Sequence, residues 1–217
     1  MADNRIALGP IFLEAFFVVL GVVLALAANE WRQAQNEQER TAQAVAAIND
    51  EILINQENIL SSLTYHISIS DSLQTLVVRQ RQEGRRILPS PGLFSRGFIH
   101  PSEILTISYD LAIATDAIGN MDYEDALAYA RIYDKYEAYQ MQQNRVSEQL
   151  YTRMFDNGVE GIIDNFENLA TIIGTFYFVE CEMLSVVNDY IPSIMDSDSA
   201  KVVEVPGRCA YFQRRSQ

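Results

Sequence analysis

Apolar residues run almost unbroken from residue 6 to residue 28, and the chain then changes to the mixed pattern of an amphipathic helix. At about 1.5 Å rise per residue, such a run is long enough to cross a hydrocarbon core of about 30 Å. Asn29 and Trp31 follow the run, as polar and aromatic residues do where a chain leaves a bilayer. The sequence therefore predicts an N-terminal transmembrane anchor over residues 1–31.

A carboxylate, Glu14, interrupts this anchor, where an ionised group costs roughly 2.5 to 3.5 kcal/mol on insertion scales. Helical spacing places the small residues Gly21, Ala25 and Ala28 on the face that carries Glu14. Small residues let a second helix approach closely, and a buried acid can be protonated or hydrogen-bonded across the contact. We expect this face to pack against another transmembrane protein or a second copy. A Glu14 that is protonated and simply tolerated is the alternative.

Other interpretations of the N-terminus stay open at this level. Gly9 and the following "PIFLE" give Glu14 the spacing found in type IV pilins and pseudopilins, which are cleaved after such a glycine. An acid in a single N-terminal span also suits a stator-like proton carrier that works beside a multi-span partner. Small residues before Glu30 offer a signal cleavage site, but the long apolar core and the uninterrupted helical sequence behind it favour a retained anchor.

Apolar residues recur at heptad spacing from about residue 41 to residue 82, which predicts one long amphipathic helix. The positions of this heptad seam are Val45, Ile48, Ile52, Asn55, Ile59, Ser62, His66, Ile69, Leu73 and Leu76. Polar residues in such a seam set register at a cost in stability. His66 has no second ligand three or four residues away, so we interpret it as a packed, hydrogen-bonded side chain.

Further helices are predicted by caps and breakers downstream. Gly84 and two prolines end the long helix, and later helices are expected over residues 100–118, 122–155 and 162–190, with Asp122 as an N-cap. The predicted fold is all-α: the transmembrane helix continues into the amphipathic helix of an antiparallel bundle of about four helices, spanning residues 32–192. A polar tail over residues 193–217 is expected to hold a short strand at residues 201–205.

Composition removes several functional classes. The net charge of −13 and the pI near 4.5 do not suit a nucleic-acid partner, which needs clustered lysine and arginine. The two histidines lie in no ligand spacing, and no phosphate-binding glycine motif occurs. We therefore expect a protein that is not an enzyme, with no catalytic residue, no cofactor, no metal and no small-molecule substrate. Cys181 and Cys209 can pair only in an oxidising compartment.

The N-terminal motif resembles that of a family of uncharacterised bacterial single-span membrane proteins. Its members read E-x6-G-[IV]-L-[IL]-A-L-x2-N-x-W, and this chain matches with Glu14, Gly21, "VVLAL", Asn29 and Trp31, while lacking a glycine before the acid. A weaker similarity lies at residues 114–133. The resemblance implies a bacterial anchor followed by a long polar helix, and it supplies no catalytic residue.

These observations favour a non-enzymatic single-pass protein that acts by helix association. It is expected either as an accessory subunit of an inner-membrane complex or as a homo-oligomer, with the lipid bilayer and a transmembrane protein as its partners. A pilin-like or sensory membrane-anchored module is the alternative. Arg5 on one side nearly balances Arg32 and Arg40 on the other, and short-tailed N-terminal anchors favour a periplasmic domain.

Overall fold

A computed structural model describes residues 8–90, 92–163, 165–195 and 202–209, and it confirms the all-α prediction. Residues 1–7 of the expected anchor lie outside this described part. The four helices are α1 (Leu8–Glu83), α2 (Ile107–Ala114), α3 (Tyr123–Ile163) and α4 (Phe166–Ile194). Short 3₁₀ turns occupy Ile118–Asn120 and Gly207–Cys209. Within the described ranges, no residue belongs to a β-strand.

Helix α1 continues from the apolar N-terminal residues into the bundle without a break. Its 76 residues correspond to roughly 114 Å at 1.5 Å per residue. The first fully buried side chain is Ile48, so the helix projects well beyond the bundle before packing begins. It ends at Glu83, and the next residue, Gly84, has a φ of 60°, the left-handed conformation that favours glycine after a helix. The amide of Gly84 donates to Gln80 O at 3.0 Å.

Helices α3 and α4 pack along the bundle part of α1 in opposite directions. The hydroxyl of Tyr129 near the start of α3 reaches Asn49, whereas Gln56 bonds to Asn188 near the end of α4. Helix α3 is therefore parallel to α1, and α4 is antiparallel to both. The predicted N-cap of α3 is confirmed, because Asp122 Oδ1 accepts from the Glu124 amide at 2.9 Å. Gly158, with φ 63° and ψ 178°, interrupts the helical backbone near the end of α3.

The prediction of a helix over residues 100–118 is wrong at both ends. Residues 97–106, which we call the strap, are not helical, and α2 covers only Ile107–Ala114. The strap runs back along α1, because Gly97 lies beside Tyr65 and Leu105 beside Asn55. An extended segment with a short helix thus takes the place of a full second helix. Pro101 disfavours helix at the residue before it, and side chains of the neighbouring helices bond the strap backbone instead.

The chain after α4 folds back on the bundle. Helix α4 continues past the predicted end and through Pro192 to Ile194. Residues 202–206 pair with no strand, so the expected strand is wrong where the structure describes it; residue 201 and residues 210–217 lie outside that part. Asn188 binds the backbone of Val203 through both its amide atoms, at 2.9 and 3.2 Å. Cys209 forms a disulfide with Cys181 of α4, with a Cα–Cα distance of 5.4 Å.

Candidate functional site

The first candidate feature is the apolar segment, defined here as residues 12–28 of α1. Each large apolar side chain in it is between 40 and 72% exposed: Phe12, Leu13, Phe16, Phe17, Val18, Val19, Leu20, Val22, Val23, Leu24 and Leu26. Soluble monomers rarely expose a contiguous apolar patch above a few hundred Å². By length and composition, α1 from Phe12 onward can cross a membrane.

Helix α4 passes the same length and composition test, but half of its apolar window is buried in the bundle. Its stripe of Ile173, Phe176, Leu184 and Val187 packs in the two apolar clusters of the core. The apolar side chains of such a helix are already covered by protein, so they do not require a lipid environment. Of the two described helices that pass this test, α1 is therefore the one whose apolar window is not covered by protein.

The predicted packing face of the apolar segment is open to the surroundings. Glu14, Gly21, Ala25 and Ala28 are all exposed, and so are Asn29 and Trp31 behind them. A side-chain carbon added at Gly21 would meet no atom within 4 Å. The single chain thus offers room for another helix along this face, and the prediction that a helix packs there stays a prediction.

Between the apolar segment and the bundle lies a stalk, residues 29–47. Most of its side chains are exposed, and Gln33 donates to Glu37 at 3.0 Å one turn later. Such i, i+4 pairs support an exposed helix by about 0.2 to 0.5 kcal/mol each. The stalk separates the membrane candidate from the first buried layer of the bundle.

The second candidate feature is a set of polar side chains in and beside the heptad seam, which bind the strap. Asn55 makes two bonds of 2.8 Å with the backbone of Leu105, one to its carbonyl and one from its amide. Asn58 donates to Glu103 O at 2.8 Å, and Tyr65 donates to Gly97 O at 2.5 Å. From α3, the amide of Gln140 donates to Ile104 O at 3.3 Å. The strap belongs to no helix or sheet that would pair its backbone groups. These side chains supply hydrogen-bond partners for its amides and carbonyls instead.

Glu51 extends this arrangement to the start of α2. Its carboxylate accepts from the amides of Ser108 at 2.8 Å and Tyr109 at 3.4 Å, two of the free donors of the first turn. The hydroxyl of Tyr133 donates to the same carboxylate at 2.6 Å. Burial and then the bond to Glu51 raise the pKa of Tyr133. A side chain distant in sequence therefore caps α2, which has no cap of its own.

His66 of α1 joins α4 to the strap. Its ring is fully buried, and Nδ1 lies 2.9 Å from both carboxyl oxygens of Glu180 on α4. The other ring nitrogen, Nε2, accepts from the backbone amide of His100 in the strap at 3.0 Å. Because Nε2 must be an acceptor, the hydrogen of the neutral ring is on Nδ1 and points at Glu180. The tautomer is fixed by a backbone amide.

Tyr139 of α3 completes the cluster and decides the protonation of Glu180. The amide of Gln143 is oriented by Ser102: its oxygen accepts from Ser102 N at 2.7 Å, and its nitrogen donates to Ser102 O at 3.3 Å. The same oxygen lies 2.6 Å from Tyr139 Oη, so the single hydroxyl hydrogen of Tyr139 goes to Gln143. The Tyr139 and Glu180 oxygens are 3.2 Å apart, and because the Tyr139 hydrogen is used by Gln143, we infer that Glu180 carries the hydrogen between them.

We infer that the cluster is neutral. Burial raises the pKa of Glu180, and the hydrogen bond from His66 offsets part of this rise. Neutral Glu180 accepts from His66 through Oε2 and donates to Tyr139 through Oε1, and the Tyr139 oxygen also lies 2.8 Å from Ser102 Oγ. A neutral buried acid avoids the large cost of an unpaired charge in the interior.

The arrangement of His66 and Glu180 looks like a catalytic carboxylate–histidine pair, but it differs in access. Both side chains are fully buried, and Nε2 of His66 is occupied by a backbone amide. The cleft beside Tyr139 leaves about 10 Å³ of free space, close to the room that one water molecule needs. Among the described residues, no three His, Cys, Asp or Glu side chains converge as metal ligands would.

The other heptad positions lie in the same seam. Ile48, Ile52, Ile59, Ser62, Ile69 and Leu73 are buried, and Val45 and Leu76 are half-buried at its two ends. Sequence reasoning missed Glu180, Gln143 and Glu51. Glu180 carried a signal, since it follows Ile173 and Phe176 at helical spacing and precedes Leu184, on the buried stripe of α4.

Comparisons with protein-family models, with curated proteins and with solved structures found no match to this chain.

Proposed function

We propose that this protein is a non-enzymatic, single-pass membrane protein that acts by helix association. It serves either as an accessory subunit of a bacterial inner-membrane complex or as a homo-oligomer. The observation that carries this proposal is the apolar segment, whose large side chains are 40 to 72% exposed on a helix continuous with the bundle. Lipid is the environment that such a surface requires.

The acid and small residues supply the proposed site of association. Glu14 faces outward beside Gly21 and Ala25, where a second helix can come close and share the carboxyl hydrogen. The partner is a second transmembrane protein or a second copy of the chain. The buried polar groups around His66 bond to one another within the bundle. We assign the bundle no substrate.

A periplasmic bundle is the orientation that we favour. The disulfide between Cys181 and Cys209 supports it, because disulfides persist in the bacterial periplasm and are rare in the cytosol. A pilin-like or sensory module is the second candidate, favoured by the spacing of Gly9 and Glu14. It requires cleavage after Gly9, which the intact mass of the purified protein measures directly.

The test of the proposal uses three variants of the full chain in membranes. Gly21→Leu and Ala25→Leu fill the small-residue face, and Ala27→Leu adds the same bulk as Ala25→Leu away from that face as the matched control. We expect all three to stay in the membrane after alkaline carbonate extraction, and only the first two to lose the assembly seen on native gels in mild detergent. Extraction of the wild-type protein, or equal assembly by all three variants, contradicts the proposal.

A further inference from the structure

The last stretch of chain that the structure describes, residues 202–209, lies along the seam between α1 and α4, and we call it the clasp. At its first end, Asn188 of α4 binds the backbone of Val203 through both amide atoms. The Asn188 oxygen also accepts from Gln56 of α1 at 2.8 Å. These are hydrogen bonds between neutral groups, and each contributes little on balance because water offers the same bonds to an open chain.

The second end of the clasp is held by one ion pair and one covalent bond. Arg208 pairs with Asp71 of α1, but the two side chains are 45 and 44% exposed, so water screens their attraction. Cys209 is joined by the disulfide to Cys181 of α4, and these two residues are 0 and 1% exposed. The disulfide is therefore the strongest of the links between the clasp and the helices.

The helices build the core with little help from the clasp. Of the eight clasp side chains, Val205 and Cys209 are the two that are buried. Most other members of the same core cluster belong to α1, α3 and α4. A movement confined to the clasp thus leaves the larger part of the core in place.

We propose that the clasp is a redox-sensitive switch, closed over the seam when Cys181 and Cys209 are joined and open when they are reduced, with the helices folded in both states. The reductant is a dithiol. Its thiolate attacks one sulfur of the disulfide and forms a mixed disulfide, which its second thiol then displaces. Two electrons and two protons pass to the chain, so the cysteines become two thiols and the dithiol becomes a cyclic disulfide.

Burial of both cysteines fixes the order of these events. Thiol–disulfide exchange requires access to a sulfur atom, and the closed clasp provides none. The clasp must lift before the dithiol reacts, and the weak bonds between Asn188 and Val203 permit this movement. After reduction, the same weak bonds and the exposed pair of Arg208 and Asp71 are all that oppose opening, together with the burial of Val205 and Cys209.

The first test measures hydrogen exchange of the full chain in detergent, before and after treatment with dithiothreitol. The Val203 amide donates to Asn188 at 3.2 Å when the clasp is closed. We expect this amide to exchange about a hundredfold faster after reduction, because a disulfide that spans 28 residues restricts the open chain by a factor of that order. The amides of α1 from Ile48 to Ile59 should stay protected over the same period, and oxidised glutathione should restore slow exchange at Val203.

Two results of this experiment would overturn the switch. If exchange at Val203 is the same in both redox states, the clasp stays closed without the disulfide. If the α1 amides lose their protection together with Val203, the disulfide holds the whole bundle and the clasp has no open state of its own.

The second test uses single-thiol variants and needs no reductant. Cys181→Ser leaves Cys209 as the only thiol of the chain. The matched control is Ser62→Cys in a chain that also carries Cys181→Ser and Cys209→Ser, since Ser62 of α1 is 1% exposed and a cysteine there is similar in size. With iodoacetamide under native conditions, we expect Cys209 to react at least about tenfold faster than the control thiol. Equal rates, whether both are slow or both are fast, contradict a clasp that opens by itself.

Discussion

The neutral state of Glu180 makes a sharp prediction about two substitutions at one position. Glutamine has the shape of the protonated acid: its oxygen can accept from His66 Nδ1, and its amide can donate to Tyr139 Oη. Glu180→Gln therefore keeps an acceptor for His66 at the position of Oε2, 2.9 Å from Nδ1, and a donor for Tyr139 at the position of Oε1, 3.2 Å from Oη. We expect it to cost less than about 1 kcal/mol of unfolding free energy, the size of one net hydrogen bond.

Glu180→Ala, in contrast, leaves the Nδ1 hydrogen of fully buried His66 without an acceptor. An unsatisfied buried donor costs about 1 to 3 kcal/mol, and the lost packing of a buried methylene adds about 0.8 kcal/mol. The expected loss is about 2 to 4 kcal/mol. At about 2 to 4 °C per kcal/mol for a domain of this size, the melting temperature falls by about 4 to 16 °C. Circular dichroism of the full-length protein in detergent measures both variants.

The dependence on pH tests the same assignment independently. Burial raises the pKa of Glu180 in the folded protein above its ordinary value of 4.5. A raised pKa gives stability that is fully present below pH 4.5 and is lost as the pH rises through the folded-state pKa. We therefore expect wild type to lose stability relative to Glu180→Gln as the pH rises from 4.5. If Glu180→Gln is as damaging as Glu180→Ala, or if the difference grows on acidification, the acid is ionised and our reasoning is wrong.

Three further predictions concern contacts that hold the strap, α2 and the C-terminal segment. Replacing both Cys181 and Cys209 by serine opens a link of 28 residues and should cost about 3 to 4 kcal/mol, measured by thermal melting with reduced wild type for comparison. Glu51→Ala should cost about 2 kcal/mol and remove hydrogen-exchange protection at the amides of Ser108 and Tyr109, while protection in α4 persists. Asn55→Leu adds apolar volume yet should destabilise by about 2 to 4 kcal/mol, because it leaves both backbone groups of Leu105 unpaired; a neutral or stabilising result in urea unfolding contradicts the role of Asn55.

The helices were predictable wherever their signals are local. Heptad spacing places Ile48, Ile52 and Ile59 on one side of α1, and those side chains are fully buried. Asp122 caps α3, as its position before a helical run indicates. Such signals depend on neighbours within a few residues, so a single sequence is enough to detect them.

The strap was not predictable, because its stability comes from residues far away in the chain. Pro101, Ser102 and Glu103 read as a helix entry, and nothing nearby records that Asn55 and Gln143 will bond the backbone of Leu105 and Ser102. Glu180 was missed for a related reason. Glu180 and Glu182 both follow the apolar residues 169–179 of α4, yet one is fully buried and the other exposed. The two acids differ in their angular position around the helix. This difference predicts which one is buried only after the buried stripe of α4 has been assigned.

The polar residues of the α1 seam follow from the extended strap. A full helix in that place would satisfy its own backbone and would need only apolar partners from α1. The strap exposes amides and carbonyls instead, so Glu51, Asn55 and His66 must occupy positions that a regular bundle gives to leucine or isoleucine. Each contact is specific in direction, since a carboxylate or an imidazole nitrogen accepts where a backbone amide donates. The seam therefore selects one partner segment in one register, and apolar substitution there removes that selection along with the bonds.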